Sequence, residues 1–368
     1  MSEELEILPV DIHLPGLLKV LGEHLYSDPR VAIRELIQNA HDSCVRRQQE
    51  DPAGKESYEP RIHVFVDPGA HQLIIEDNGS GLTHDEITVF LATVGRGYTR
   101  ELREQLGRAQ REEALDLIGM FGLGLLSSFM IASRIEITTA SYQAPDEAWR
   151  WISEGGQSYA LRKASSKAIG TTVCLNLRDD ARFLLDVAVL SETLNTYAVF
   201  LPTPIYVADN PTPINTSPAP WLEEDRAATA QARTARYIAW VEQHTETRPL
   251  TVLPLQDIQT DDGQVIPLYG VLYVPPRSVV SIQEHGNVTV YVRHMLITER
   301  ERDLLPSWAR FVNGIIDCPL LNPTASRETL RHDDIYEAVQ EALGKALLAH
   351  FEALADRAPL DWQAIVRA

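Results

Sequence analysis

Three short stretches of this 368-residue chain bring together residue types that can do chemistry. The first is a helical pattern over 29–50. At about 100° per residue, Ile33, Ile37, Ala40 and Cys44 fall on one side. Glu35, Asn39, Asp42 and Arg46 fall on the other, within about 60° of one another. Either these are a core face and a solvated face, or the polar side is a set of working groups. The second stretch is Ile74-Ile75-Glu76-Asp77-Asn78-Gly79-Ser80-Gly81-Leu82, an apolar strand that ends in a carboxylate and two glycines. It reads as an ordinary strand-turn-helix, or as a carboxylate beside which glycines let a flat ligand approach the backbone. The third is Gly119-Met120-Phe121-Gly122-Leu123-Gly124, directly before an apolar helix. It is a flexible hinge, or a set of backbone N–H groups at a helix N-terminus that can hold an anion.

The elements that must position these stretches follow from periodicity. Helices are expected at 16–26, 29–50, 84–94, 123–133, 181–200, 224–243, 303–314 and 334–356. Strands are expected at 61–67, 72–77, 134–140, 148–153, 158–163, 171–177, 264–274 and 288–298. Pro68-Gly69 makes the first two strands a hairpin, and Thr83-His84-Asp85-Glu86 is a capping box that opens the helix at 84. Residues 95–118 are charged and Gly-punctuated, which reads as a mobile segment. Hairpins mixed with helices give an α+β or mixed α/β class. The Pro-rich stretch 202–220 is the best domain boundary.

Composition narrows the function classes. With 44% hydrophobic and 23% charged residues the chain is globular rather than disordered or fibrous. A net charge of −19 repels phosphate backbones and argues against nucleic-acid or anionic-membrane binding. Three widely spaced cysteines, Cys44, Cys174 and Cys318, exclude a disulfide framework and CxxC metal sites, and they fit a reducing compartment. The acidic N-terminus is no secretory signal. Residues 117–133 lack charge but carry three Gly and three Ser, which argues against a membrane span. No GxxxxGK[ST], HExxH or GxSxG occurs, and the eleven histidines show no ligand spacing.

Taken together and in this order, the three stretches resemble the ATP site of the superfamily named for gyrase, heat-shock protein 90, histidine kinases and MutL. Leu36-Ile37-Gln38-Asn39-Ala40 looks like its N-box, Asp77-Asn78-Gly79-Ser80-Gly81 its DxGxG box, and 119–124 its second glycine box. Gly170-Thr171, opening a strand, adds a fourth element. Too little chain precedes Asn39 for a histidine kinase, and the charge disfavours the DNA-acting members. The wording His24-Leu25-Tyr26-Ser27-Asp28 and Arg34-Glu35-Leu36-Ile37-Gln38-Asn39-Ala40-His41-Asp42-Ser43 is similar to heat-shock protein 90. So are Leu272-Tyr273-Val274-Pro275, Val290-Tyr291-Val292-Arg293, Phe311-Val312-Asn313-Gly314 and Ser326-Arg327-Glu328-Thr329-Leu330. The chain departs from that family at His41, Phe90, Arg96, Leu125-Leu126 and Thr324-Ala325. The charged linker of eukaryotic members is missing, so the resemblance is to the bacterial type.

The resemblance implies an α+β protein. A two-layer α/β sandwich of the Bergerat type would bind ATP over 1–212, with a lid at about 95–118. An incomplete α/β middle domain would follow over 213–368, without the C-terminal dimerisation domain. It implies an ATP-dependent, magnesium-requiring chaperone of the cytoplasm and of the stress response, which clamps client proteins and works with co-chaperones. The full-length form would be a homodimer and this chain a monomer or weak dimer. Glu35 would activate the attacking water and Arg327 would reach the γ-phosphate from the second domain. Asn39 would hold magnesium. Nucleotide contacts would come from Asn39, Asp42, Asp77, Gly81, Leu82, Arg96, Gly119, Phe121, Gly122, Leu123, Gly124 and Thr171. Asp77 would accept from the adenine amino group, with Thr171 in support. Read without the family, Glu35 is a surface acid and Arg327 part of a helix-cap salt bridge. A binding module with negligible turnover is the alternative function.

Overall fold

The computed structural model describes residues 16, 28–51, 57–91, 124–215, 219–222, 229–260, 263–276, 286–324 and 326–367. They fall into two compact units, the first built from residues up to 193 together with 205–210, the second from 194–204 and from 211 onward. The expected helix at 16–26 and the segment 95–118 lie outside the described residues, apart from Gly16.

The first unit is a seven-stranded sheet in the order β5-β4-β3-β6-β2-β1-β7. Its strands are β1 (Ile62–Asp67), β2 (Gln72–Asp77), β3 (Ala132–Ala140), β4 (Ala148–Glu154), β5 (Tyr159–Lys163), β6 (Gly170–Leu177) and β7 (Ile205–Val207). Neighbours are antiparallel except β1 and β7. Side chains alternate across the sheet. Ile62, Val64, Leu73, Ile75, Ile135, Ile137 and Leu175 are buried on one face. Helices α1 (Val31–Glu50) and α3 (Gly124–Ile131) supply Ile33, Ile37, Cys44, Phe129 and Ile131 to the same core. Full burial of one such aliphatic or aromatic side chain is worth about 1.5–3 kcal/mol. Between them, α2 (His84–Glu86) starts on the expected Thr83/Glu86 capping box and continues as a π-turn, Ile87–Leu91. The expected helix over 181–200 forms as a 3-10 stretch, Asp179–Leu185, followed by α4 (Val187–Ala198).

The second unit is a five-stranded sheet in the order β11-β10-β12-β9-β8. It comprises β8 (Thr251–Gln259), β9 (Val265–Val274), β10 (Val288–Val292), β11 (Met295–Glu301) and β12 (Asn313–Asp317). Helix α6 (Asp334–Arg357) buries Val339, Leu343, Leu347 and Phe351 in one core with Leu268, Leu272, Val290 and Ile316. Helix α5 (Ala230–Thr245) places Tyr237 and Trp240 in a second cluster with Phe200 and Tyr291. The chain closes on α7 (Pro359–Arg367).

Here the structure corrects several expectations. The strand expected over 288–298 is two strands, because Arg293 and His294 take left-handed φ of 53° and 66° and reverse the chain. The helix expected over 303–314 is only a 3-10 turn, Ser307–Ala309, because Pro306 cannot donate inside a helix, and the residues beyond it form β12. Strand β8 was not expected. It carries Pro254, a strand-breaking signal that an edge strand tolerates.

Candidate functional site

Alternation along β2 turns Leu73, Ile75 and Asp77 toward the helices and Ile74 and Glu76 toward the open face. A carboxylate therefore ends a buried row. Its Oδ1 accepts the hydroxyl of Ser43 on α1 at 3.0 Å and the Gly79 N–H at 2.8 Å. Burial pushes the Asp77 carboxyl up to about 6, against the opposing pull of those two donors, of Lys167 and of the Thr171 backbone.

The strand register brings Thr171 of β6 opposite Asp77, and Thr139 of β3 opposite Thr171. The two threonine hydroxyls lie 3.1 Å apart, and Thr139 Oγ1 also accepts the Leu82 N–H at 2.9 Å. Sheet end and glycine loop are thus one unit. Gly81 sits at φ +60°, where a Cβ would lie 1.9 Å from the Ala140 carbonyl oxygen, so no other residue fits. Asn78 turns away from the site. Its side chain accepts the Arg61 N–H at 2.9 Å and donates to the Glu59 carbonyl at 2.8 Å, which makes it a staple for the loop before β1.

The polar face of α1 is not solvated. Glu35, Asp42 and Arg46 are all buried, and of the four predicted polar-face residues only Asn39 is exposed. Helix α3 packs on α1 beside Glu35. A Cβ placed at Gly124, the first residue of α3, would lie 3.3 Å from both Glu35 Oε2 and Asn39 Nδ2. The first and third stretches of the sequence therefore meet here. Arg34 Nη2 lies 3.2 Å from Glu35 Oε1. Arg46 serves the framework: it bonds Glu50 at 2.9 Å and Glu86 at 2.6 Å, and Glu50 also accepts the Tyr142 hydroxyl at 2.9 Å.

Of the expected site residues, the structure gathers Asp77, Gly81, Leu82 and Thr171 at one end of the sheet, and Glu35, Asn39 and Gly124 at the start of α3. Asp42 is buried on α1. Arg96, Gly119, Phe121, Gly122 and Leu123 lie outside the described residues. Arg327 belongs to the second unit. It is buried in a turn, its N–H bonded to the Thr324 carbonyl at 3.0 Å, with φ at +54°. A non-glycine residue held there costs about 1–3 kcal/mol, and such strain collects at functional positions. Sequence reasoning missed Ser43 and Thr139. Ser43 stood one turn after Asn39 on the same face, a signal that was available. Thr139 had none, since its role comes from strand pairing. Among the described residues no group of three His, Cys, Asp or Glu side chains could hold a metal ion. A divalent cation here would need oxygens brought by a ligand, and the exposed Asn39 amide fits that requirement.

A family profile described as "Histidine kinase-, DNA gyrase B-, and HSP90-like ATPase" matches residues 26–170, and one described as "Hsp90 protein" matches 190–362. A "Chaperone protein HtpG" of Nitrobacter winogradskyi is 31% identical over 355 residues, covering 93% of this chain and 54% of the relative. That of Methylobacterium sp. strain 4-46 is 31% identical over 96% of this chain and 58% of the relative, and that of Desulfitobacterium hafniense 25% identical over 97% and 58%. The chain spans a little over half the length of these relatives. With the two profiles in tandem and its carboxylate, threonine and glycine elements assembled on one sheet end, the chain belongs to the heat-shock protein 90 family.

Proposed function

We propose that the protein binds and hydrolyses ATP and uses the cycle to act as a chaperone on client polypeptides. One observation carries the reading: Glu35 and Asn39 converge beneath Gly124 on the same helix whose Ser43 holds Asp77. Asp77 accepts from the adenine amino group, and Thr171 and the Leu82 backbone form the floor beside it. Glu35, buried and one turn before Asn39, takes the proton of the attacking water. Asn39 Oδ1 would hold magnesium, which when bound neutralises phosphate charge. Arg96, Gly119, Phe121, Gly122 and Leu123 complete the phosphate side, Asp42 backs the nucleotide through α1, and Arg327 supplies positive charge from the second unit.

The nucleotide domain runs over 1–212, with a lid at about 95–118, and the middle domain over 213–368. Client proteins and co-chaperones are the partners, and the full-length form is a homodimer. The cytoplasm is the assigned compartment; three free cysteines support it, and among the described residues no helix is long and apolar enough to cross a membrane.

The test is steady-state phosphate release beside calorimetric ATP binding. Glu35→Ala keeps affinity and loses turnover by about 10²–10⁴-fold. Wild-type turnover indistinguishable from the variant would leave a binding module in place of an ATPase.

A further inference from the structure

Between β12 and α6 the second unit makes a tight excursion over residues 322–331, with Arg327 near its tip. Its two limbs meet in an isolated antiparallel bridge between Pro323 and Leu330, both buried. The Arg331 N–H donates to the Asn322 carbonyl at 2.8 Å, and the Asn322 amide donates to Asp333 at 2.7 Å. Asp333 in turn caps α6, accepting the Tyr336 N–H at 3.1 Å. The base of the excursion is thus tied to a long helix. At the tip Arg327 is buried and takes φ +54°. A non-glycine residue keeps such a conformation only where its surroundings over-determine it.

Thr324 supplies that constraint. Its N–H donates to the Thr329 carbonyl at 2.9 Å and its carbonyl accepts the Arg327 N–H at 3.0 Å, so its backbone grips both sides of the tip. Its hydroxyl makes a second bond to the Thr329 carbonyl, at 3.2 Å. The same oxygen lies 3.0 Å from the Thr329 hydroxyl and 3.2 Å from the Ser326 hydroxyl. A hydroxyl has one proton to donate and two lone pairs to accept with. Donation to the carbonyl leaves one lone pair for each neighbouring hydroxyl, so Thr324 Oγ1 is saturated. The knot closes around Arg327 from Ser326 on one side and Thr329 on the other.

We propose that Thr324 is a positioning residue for Arg327: its hydroxyl ties Ser326 and Thr329 together and so holds Arg327 in the one backbone state from which it serves hydrolysis. This rests on the reading of Arg327 as the source of positive charge for the phosphates. A cation oriented before charge develops needs little reorganisation in the transition state. Without the hydroxyl, Arg327 is free to return to the negative φ that a residue with a Cβ prefers, which re-aims its side chain. Valine in place of Thr324 keeps the β-branched shape and loses only the hydrogen bonds, so it separates positioning from packing.

The experiment is a double-mutant cycle on the full chain, read by steady-state phosphate release and by calorimetric binding of a non-hydrolysable ATP analogue. Thr324→Val keeps the analogue affinity and lowers kcat about fivefold, the net worth of one hydrogen bond. Thr324→Ser, which restores the hydroxyl, keeps the wild-type rate. Added to Arg327→Ala, Thr324→Val lowers the rate no further, because nothing is left to position. Should Thr324→Val unfold below the assay temperature, Thr329→Val takes its place in the cycle, with a loss of about twofold. An unchanged kcat, weakened analogue binding, a serine variant as slow as the valine, or a loss that persists beside Arg327→Ala would each overturn the proposal and leave the knot as structure. Full turnover by Arg327→Ala would instead remove the reading of Arg327, and the role of Thr324 with it.

Discussion

Replacing Asp77 by Asn separates what the carboxylate does for binding from what it costs the fold. Both short contacts from Ser43 and Gly79 end on Oδ1, so an Asn carbonyl oxygen can keep them. The amide nitrogen then occupies the other oxygen's place and presents donors to the adenine amino group, itself a donor. Losing a charged hydrogen bond costs about 1.5–3 kcal/mol, so affinity falls at least tenfold to a hundredfold. Stability moves the other way. The folded carboxyl is raised from 3.8 to about 6, with burial the main cause. A raised folded value means that the wild type is least penalised below pH 4 and loses stability as pH climbs through 6. About two units at 1.36 kcal/mol each give roughly 3 kcal/mol. Urea unfolding of both proteins at pH 4.5, 6 and 8 should show the Asp77→Asn variant gaining on wild type as pH rises, by up to about 3 kcal/mol at pH 8. A stability difference that stays flat across pH, or unchanged nucleotide affinity, would refute the reasoning.

Two further substitutions probe the frame. Gly81→Ala forces a Cβ to within 1.9 Å of the Ala140 carbonyl at φ +60°. It should cost more than about 1 kcal/mol and weaken nucleotide binding, as read by thermal unfolding and calorimetry; wild-type values for both would mean that the loop does not need glycine. Arg327→Ala should leave nucleotide affinity intact and cut phosphate release about tenfold or more. Arg327→Gly should lose the same activity yet be more stable than the Ala variant by about 1 kcal/mol, since glycine accepts φ +54° freely. Full turnover in either variant removes Arg327 from the mechanism.

How much of this was legible in the sequence depended on whether the signal was local. The β1–β2 hairpin was readable within a residue of its observed ends, because alternation and Pro68-Gly69 both act over a few residues. The Thr83/Glu86 box was readable for the same reason, though not the π-turn that follows it. Strand β8 was hidden by Pro254, which matters only if the strand is central; its edge position is set by strand pairing far along the chain. The β10–β11 reversal was hidden because Arg293 and His294 take the left-handed positions that Gly or Asn usually announce. In the site, Glu35, Asn39, Asp77 and the glycines stood out by spacing. Ser43 carried a signal on the same helix face, whereas Thr139 gains its place only once β2, β6 and β3 are side by side.

The buried polar face of α1 is where local reading misled, and its energetics explain why it is built that way. Taking a charged side chain out of water costs several kcal/mol unless partners replace the solvent. Arg46 has two, Glu50 and Glu86, and Glu86 is itself fixed by the Thr83 N–H at 2.8 Å. Glu35 lies against Arg34, whose side chain is 1% exposed. Asp77 keeps two donors on one oxygen. The helix therefore presents a wall of polar groups already desolvated and held by the protein, with the Asn39 amide left exposed among them. Groups oriented in advance need little reorganisation when charge develops in a transition state. A solvated face, which the helical wheel alone allowed, would have to shed its water at that moment. For the general-base role proposed for Glu35, packing by α3 and reactivity are one requirement: a substitution at Gly124 that loosens α3 from α1 should slow phosphate release before it weakens nucleotide binding.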